Sequence, residues 1–168
     1  MKRIVITGGP GSGKTSLIDN LSLKGYCCYE EVSRQLIQRM KISSSFKDFD
    51  FEDEVFKLRK RDFLDASKEL QFYDRSMIDN LAYLNKNNLE VSEKMNSDCE
   101  KHKYFKEVFI LPPWDDIYET DNERVEEYDE AVDIHSYLIE AYSKYNYSLI
   151  EVPKASVEER IEFILNRI

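Results

Sequence analysis

Cysteine, glycine and proline are all scarce in this 168-residue chain, at three, five and four residues, and there is a single tryptophan. The cysteines are odd in number and lack metal-ligand spacing, with Cys27 and Cys28 adjacent. That excludes a disulfide framework and a zinc site, and suits reduced thiols. No apolar run approaches the ~18 residues a membrane-spanning helix needs, and neither repeats nor a low-complexity linker interrupt the pattern. Positive charge is in deficit, with 24 Lys and Arg against 33 Asp and Glu, a net charge of −9. Such a balance repels nucleic acid and anionic membranes at long range and favours small-molecule partners. Met1-Lys2-Arg3 leads straight into an apolar run without a cleavable signal pattern, so a cytoplasmic location is the expectation. The length suits a single domain over residues 1–168 that buries about 70% of the surface of its unfolded chain.

Four of the five glycines fall at Gly8, Gly9, Gly11 and Gly13, where the apolar run Ile4-Val5-Ile6 breaks. With Pro10, Ser12, Lys14 and Thr15 they complete the pattern G-x-x-x-x-G-K-[ST], and Ser16-Leu17-Ile18 then begins a helical apolar spacing. Strand, glycine loop and helix together are a phosphate-binding P-loop. Backbone N–H groups of Gly8 to Ser16 converge on phosphate oxygens, Lys14 adds a point charge, and the Thr15 hydroxyl serves Mg²⁺. ATP and Mg²⁺ are the cofactors this implies. His102 and His135 stand apart from each other and from the cysteines, so no other metal centre is indicated.

Further strands are expected at Tyr26–Tyr29, Gln71–Tyr73, Val108–Leu111 and Leu149–Val152. Helices are expected from Glu31 towards Met40, from Asp50 to Leu70, after the Ser76/Asp79 capping box, and over Tyr128–Tyr145. Ser97 with Glu100 offers another cap, and Ser156 with Glu159 opens the last helix. Five short strands alternating with helices argue for a parallel sheet covered on both faces, a three-layer α/β/α sandwich with its ligands at the carboxyl ends of the strands.

Candidate reactive residues lie just beyond those strand ends. Asp74 follows the third strand as a Walker-B-like acid that holds Mg²⁺ beside Thr15, or else caps a helix. Arg75 binds an acceptor phosphate or pairs with a neighbouring carboxylate. Glu31 and Arg34, three apart at a helix start, share one face and reach one substrate or form a local ion pair. Glu31 is the best-placed carboxylate to position an acceptor hydroxyl. Arg124 is the sole cation between Trp114 and Lys144 in an acidic run, which reads as a lid arginine closing over the γ-phosphate from a segment at about 114–130, or as charge balancing. Trp114 either stacks on a base or, as large aromatics near strand ends more often do, joins the core. Lys57, Arg59, Lys60 and Arg61 read as a solvated helix face among acids.

Nearly the whole chain resembles the small P-loop ATPase family grouped as an AAA-like domain and related to the nicotinamide riboside kinase module of bacterial NAD regulators. The segments that carry the resemblance are ITGGPGSGKTSLI, Glu31 with Arg34 in YEEVSRQLI, YDRSMIDNLAYL, VFILPPWDDIYETDNER and IEVPKASVEERIEFIL. It implies a nucleoside-kinase-like P-loop NTPase fold with sheet order 2-3-1-4-5. It further implies nucleotide roles for Gly8 to Ser16, Asp74 and Arg124, and acceptor-side roles for Glu31, Arg34, Arg75 and Asp79. The chain departs from the family at Ser76 and Ile78, where glycine and proline are common, and at Asn146, where a turn glycine is common. The absence of a second helical domain argues against a ring-forming mechanical ATPase.

The leading expectation is therefore an ATP-dependent phosphotransferase acting on a small nucleoside-like or other hydroxyl-bearing acceptor. A nucleotide-binding switch, binding ATP or GTP and a lipid phosphate, and a simple NTP hydrolase are the alternatives. Guanine selectivity has no visible source, because Asn85-Lys86-Asn87-Asn88 lacks the aspartate of an N-K-x-D motif.

Overall fold

A computed structural model describes residues 1–40, 48–117 and 128–168. Strand β1 (Lys2–Gly8) runs into the glycine loop and helix α1 (Lys14–Leu23), followed by β2 (Cys27–Tyr29), α2 (Val32–Met40) and α3 (Asp48–Leu64). Then come β3 (Leu70–Asp74), α4 (Met77–Lys86), α5 (Glu93–Lys101), β4 (Glu107–Leu111) and a 3₁₀ turn at Asp115–Ile117. Helix α6 (Tyr128–Lys144), β5 (Ser148–Glu151) and α7 (Val157–Leu165) complete the order. No helix among the described residues is long and apolar enough to cross a membrane.

All the strand pairings are parallel, in the order β2-β3-β1-β4-β5, which is the expected 2-3-1-4-5 sheet. Successive strand residues point to opposite faces, and the sequence fills both sides with apolar groups. Ile4, Ile6, Phe72, Phe109 and Leu111 pack with Leu17, Ile18 and Leu21 of α1 and Ile161 and Ile164 of α7. Val5, Tyr73, Val108 and Ile110 pack with α3, α4, α5 and α6 on the other face. The result is a three-layer α/β/α sandwich. Chain reversal after β1 and β3 puts the glycine loop and Asp74-Arg75 side by side at one sheet end, where Ile6 is level with Asp74.

Both predicted capping boxes at Ser76/Asp79 and Ser156/Glu159 form, with side chains and backbone N–H groups bonded reciprocally. Asn146 takes the left-handed geometry its turn requires, at φ 63°. Strand and helix ends shift by a residue or two from expectation, and two boundaries differ by more. Helix α3 stops at Leu64 rather than Leu70, because Leu70 is drawn into the sheet opposite Lys2. Helix α5 is capped by Ser92, whose hydroxyl accepts from the Met95 N–H, and not by Ser97, so that Met95 and Cys99 face the core.

Candidate active site

Glycine at 8 and 13 is required by geometry. A side chain on Gly8 would place Cβ 2.6 Å from the Leu111 carbonyl oxygen, and Gly13 sits at φ 83° as the N-cap of α1. No side chain caps that helix and no acid occupies its first turn. Its leading N–H groups and positive end are therefore left for an anion. Lys14 is buried, and its Nζ donates to the Gly9 carbonyl at 2.7 Å and towards Ser12 Oγ at 3.3 Å, folding back over the loop. Burial first, then the charge of Arg75, lowers Lys14 to about 8 against the pull of Asp74, Glu31 and Asp79. Thr15 and Ser16 are exposed beside it.

Asp74 ends β3 almost wholly buried, with Oδ1 lacking any hydrogen-bond partner. Burial, reinforced by Glu31, raises its carboxyl to about 6 despite Lys14, Arg75 and Arg59. A buried carboxylate oxygen without a donor, at the same sheet end as the exposed Thr15 hydroxyl, fits a cation. Among the described residues no three His, Cys, Asp or Glu cluster as a cage. The donor set instead suits Mg²⁺, which takes one or two protein oxygens and completes its shell with phosphates and water.

Glu31, between β2 and α2, accepts from Arg75 Nε at 2.8 Å, and Arg34 Nε lies 3.4 Å from its other oxygen. Burial raises the Glu31 carboxyl, but Arg75, Lys14 and Arg59 outweigh it and hold the group at about 2. Arg75 is buried at φ 71°, a left-handed conformation unusual for arginine. Lys14, Glu31, Asp74 and Arg75 thus sit close enough to perturb one another. Arg34 is the exposed member of the set. Arg124 lies outside the described residues, as does most of the acidic segment around it.

Asp79 is brought to the floor of this site and wholly covered. Its carboxylate accepts from Thr7 Oγ1, the Ser76 N–H, Ser76 Oγ and the Tyr142 hydroxyl, and Arg75 Nη1 lies 3.6 Å away. The serine that replaces the family's glycine adds a second contact for Tyr142, whose hydroxyl lies 2.7 Å from Ser76 Oγ.

Two arginines escaped the sequence reading. Arg59 was expected on a solvated face; Lys57 and Arg61 are exposed, but Arg59 turns inward and is buried. It donates to Asn80 Oδ1 at 2.8 Å and the Ser76 carbonyl at 3.2 Å, and Asn80 in turn donates to Glu52 at 2.6 Å. The available signal was spacing: Glu52, Val55, Phe56, Arg59 and Phe63 form one helical stripe and all are buried. Arg160, in the first turn of α7, lies 5% exposed against the glycine loop, its Nη1 3.5 Å from the Ser12 carbonyl. Trp114, expected chiefly in the core, belongs to neither apolar cluster; it is partly exposed, with the Arg160 guanidinium 5.5 Å from its ring centroid.

A family model described as an AAA domain matches residues 3–160. Deoxyadenosine kinase from M. mycoides, with products dCMP and dCDP bound, superposes with a TM-score of 0.71 at 17% identity, covering 98% of this chain and 97% of that one. Thymidylate kinase from Ehrlichia chaffeensis gives 0.67 at 12% identity, covering 98% and 97%. The NadR protein in complex with NR gives 0.74 at 15% identity, and there 98% of this chain spans 50% of the other. No curated protein matches the chain. The likenesses establish the P-loop NTPase fold in its nucleoside and nucleotide kinase form.

Proposed function

The chain belongs to the AAA domain family, matched over residues 3–160, and from that premise we propose that it is a Mg²⁺-dependent phosphotransferase that moves the terminal phosphoryl group of ATP to a hydroxyl on a small, nucleoside-like acceptor. The observation that carries this reading is the convergence of Glu31 and Arg75 on Lys14 and Asp74 at one sheet end. A pure nucleotide switch has no use for an arginine–glutamate pair, Arg75 buried and Glu31 partly so, within charge range of the loop lysine. The kinases of deoxyadenosine and thymidylate among its structural neighbours support the same reaction class. Free thiols at Cys27, Cys28 and Cys99 suit a reducing cytoplasm.

The residues divide the work. Backbone N–H groups from Gly8 to Ser16 hold the phosphates, and Lys14 swings from the Gly9 carbonyl to the bridging and terminal oxygens. Thr15 and Asp74 Oδ1 would hold Mg²⁺, which neutralises charge on the transferred group when bound. Glu31, ionised at any physiological pH, accepts a hydrogen bond from the acceptor hydroxyl and aligns its oxygen with the terminal phosphorus. The bond from oxygen to phosphorus forms as the bridge to ADP breaks, and the hydroxyl proton leaves late to Glu31 or to water. Little base strength is required, since such a transition state is loose and the hydroxyl oxygen is only weakly bonded to phosphorus in it. Arg75 anchors Glu31, Arg34 guards the open side, and Asp79 fixes Arg75 from below. Arg124 in the lid segment at about 114–130 is the proposed closing cation.

Purified protein, ATP and Mg²⁺ are to be incubated with a panel of nucleosides and nucleotides, reading ADP release and phosphorylated acceptor by mass spectrometry. Acceptor-dependent product that vanishes in Lys14→Ala is the expected result. ADP release at one rate whatever acceptor is added identifies a hydrolase, and none at all removes the kinase reading.

A further inference from the structure

Arg160 is a buried cation that pairs with no acid among the described residues. Its Nε has no hydrogen-bond partner among them, and the side chain packs so tightly on the glycine loop that a Cβ on Gly13 would lie 2.9 Å from Nη1. An unpaired buried guanidinium is costly, and folds keep one where it performs a task. Its contact is with the carbonyl side of the loop, at Ser12, whereas the converging N–H groups make the phosphate cradle on the other side. Arg160 is therefore no phosphate ligand. What it grips instead is Trp114, whose indole lies over the guanidinium and whose Nε1 donates to Asp116 at 3.0 Å. One edge and one side of this indole are fixed, it stays partly exposed, and the core holds none of it.

We infer that Trp114 is the stacking platform for the base of the donor nucleotide, and that Arg160 is the positioning residue that fixes this platform relative to the phosphate loop. The inference rests on the nucleotide reading above and adds how the base is held. A flat indole offers a π-face and no pattern of donors and acceptors, so adenine and guanine stack on it alike. The absence of an N-K-x-D motif then has a physical counterpart: the base is supported without its edge being read.

The chain has one tryptophan, so Trp114 emission reports on its own surroundings. Titration of the full chain with Mg²⁺ and either ATP, GTP or inorganic tripolyphosphate is followed by fluorescence and by calorimetry. Both nucleotides should change Trp114 emission and bind within about tenfold of each other, while tripolyphosphate binds without the emission change. Trp114→Leu should weaken ATP by about 5- to 150-fold and leave tripolyphosphate unchanged, with Trp114→Phe restoring most of the loss. Arg160→Met should copy Trp114→Leu, and Arg160→Lys, which keeps the charge, should fall between. Equal weakening of ATP and tripolyphosphate in the Arg160 variants overturns the assignment, because Arg160 would then only buttress the loop. An emission unchanged by saturating ATP overturns it too. Wild-type protein that binds neither ATP nor tripolyphosphate sinks the nucleotide reading itself, and this inference with it.

Discussion

Replacing Asp79 by alanine separates a structural carboxylate from a substrate-binding one. Four buried donors would lose this acceptor at once, the Thr7 hydroxyl, the Ser76 N–H, the Ser76 hydroxyl and the Tyr142 hydroxyl, of which the last two still have each other. Each unsatisfied donor costs about 1–3 kcal/mol, and water entry or rotation of the hydroxyls relieves part, so a total of about 4 kcal/mol is the working value. That is a large share of the ~5–15 kcal/mol that holds a domain folded. In a chain of this length each kcal/mol moves Tm by about 2–4 °C, which predicts a fall of about 8–16 °C. Tyr142→Phe removes one donor and leaves the rest of the network intact, so its fall should be about 2–6 °C. Thermal unfolding of both variants at pH 7, without ligand, is the assay. An Asp79→Ala protein that melts within about 2 °C of wild type refutes the reasoning, and would return Asp79 to the acceptor surface.

Lys14→Met should lower phosphoryl transfer by about 10²- to 10³-fold, yet melt no lower than wild type at pH 7. Because the Lys14 ammonium is held at about 8 against an ordinary 10.5, the unfolded chain binds more protons above pH 8. Wild-type stability accordingly gains on Lys14→Met as pH rises above 8, a difference that paired melting curves detect. Asp74 has the opposite sense: raised from 3.8 to about 6, it makes the folded state bind more protons, so wild-type stability gains on Asp74→Asn as pH falls from 6 towards 4 in the absence of Mg²⁺. Mg²⁺-dependent nucleotide binding should weaken over that same window, and calorimetry at pH 7 and pH 5 tests it. Arg59→Met should cost about 1–3 kcal/mol by urea unfolding, since Asn80 and the Ser76 carbonyl lose their donor.

Much of this architecture was legible because local and tertiary preferences agree. The run Ile4-Val5-Ile6 is apolar at every position, as a strand covered on both faces must be, and the glycines that follow leave a loop no other residue could make so tight. At Ser76/Asp79 and Ser156/Glu159 the cap precedes an apolar helical stripe, and both caps form. Ser97/Glu100 has the same letters, but Met95 and Cys99 already lie on one face, so the helix had to begin earlier, at Ser92. Arg59 and Arg160 were illegible for a different reason. Each sits among charged neighbours in sequence, and only the packing of α3 on α4, and of α7 behind the loop, turns one cation of each group inward.

Partnering distinguishes the cations that contact an acid from those that do not. Arg75 has Glu31 and Asp79, and Arg59 reaches Glu52 through Asn80, so their charges are largely balanced before any ligand arrives. Among the described residues, the hydrogen-bond partners of Lys14 and Arg160 are carbonyl and hydroxyl oxygens of the loop, with Asp74, Glu31 and Asp79 acting on Lys14 through charge alone. A chain of net charge −9 repels a nucleoside triphosphate from a distance, but that repulsion is screened over about 10 Å in ordinary salt, whereas buried charges act at contact with far less screening. Two buried cations without a contacting acid among the described residues thus flank one loop, Lys14 on the phosphate side and Arg160 on the carbonyl side. The burial that lowers Lys14 is offset when an anion occupies the cradle between Lys14 and Thr15, which makes occupation of that cradle the state this lysine favours, while Arg160 serves the platform behind the loop.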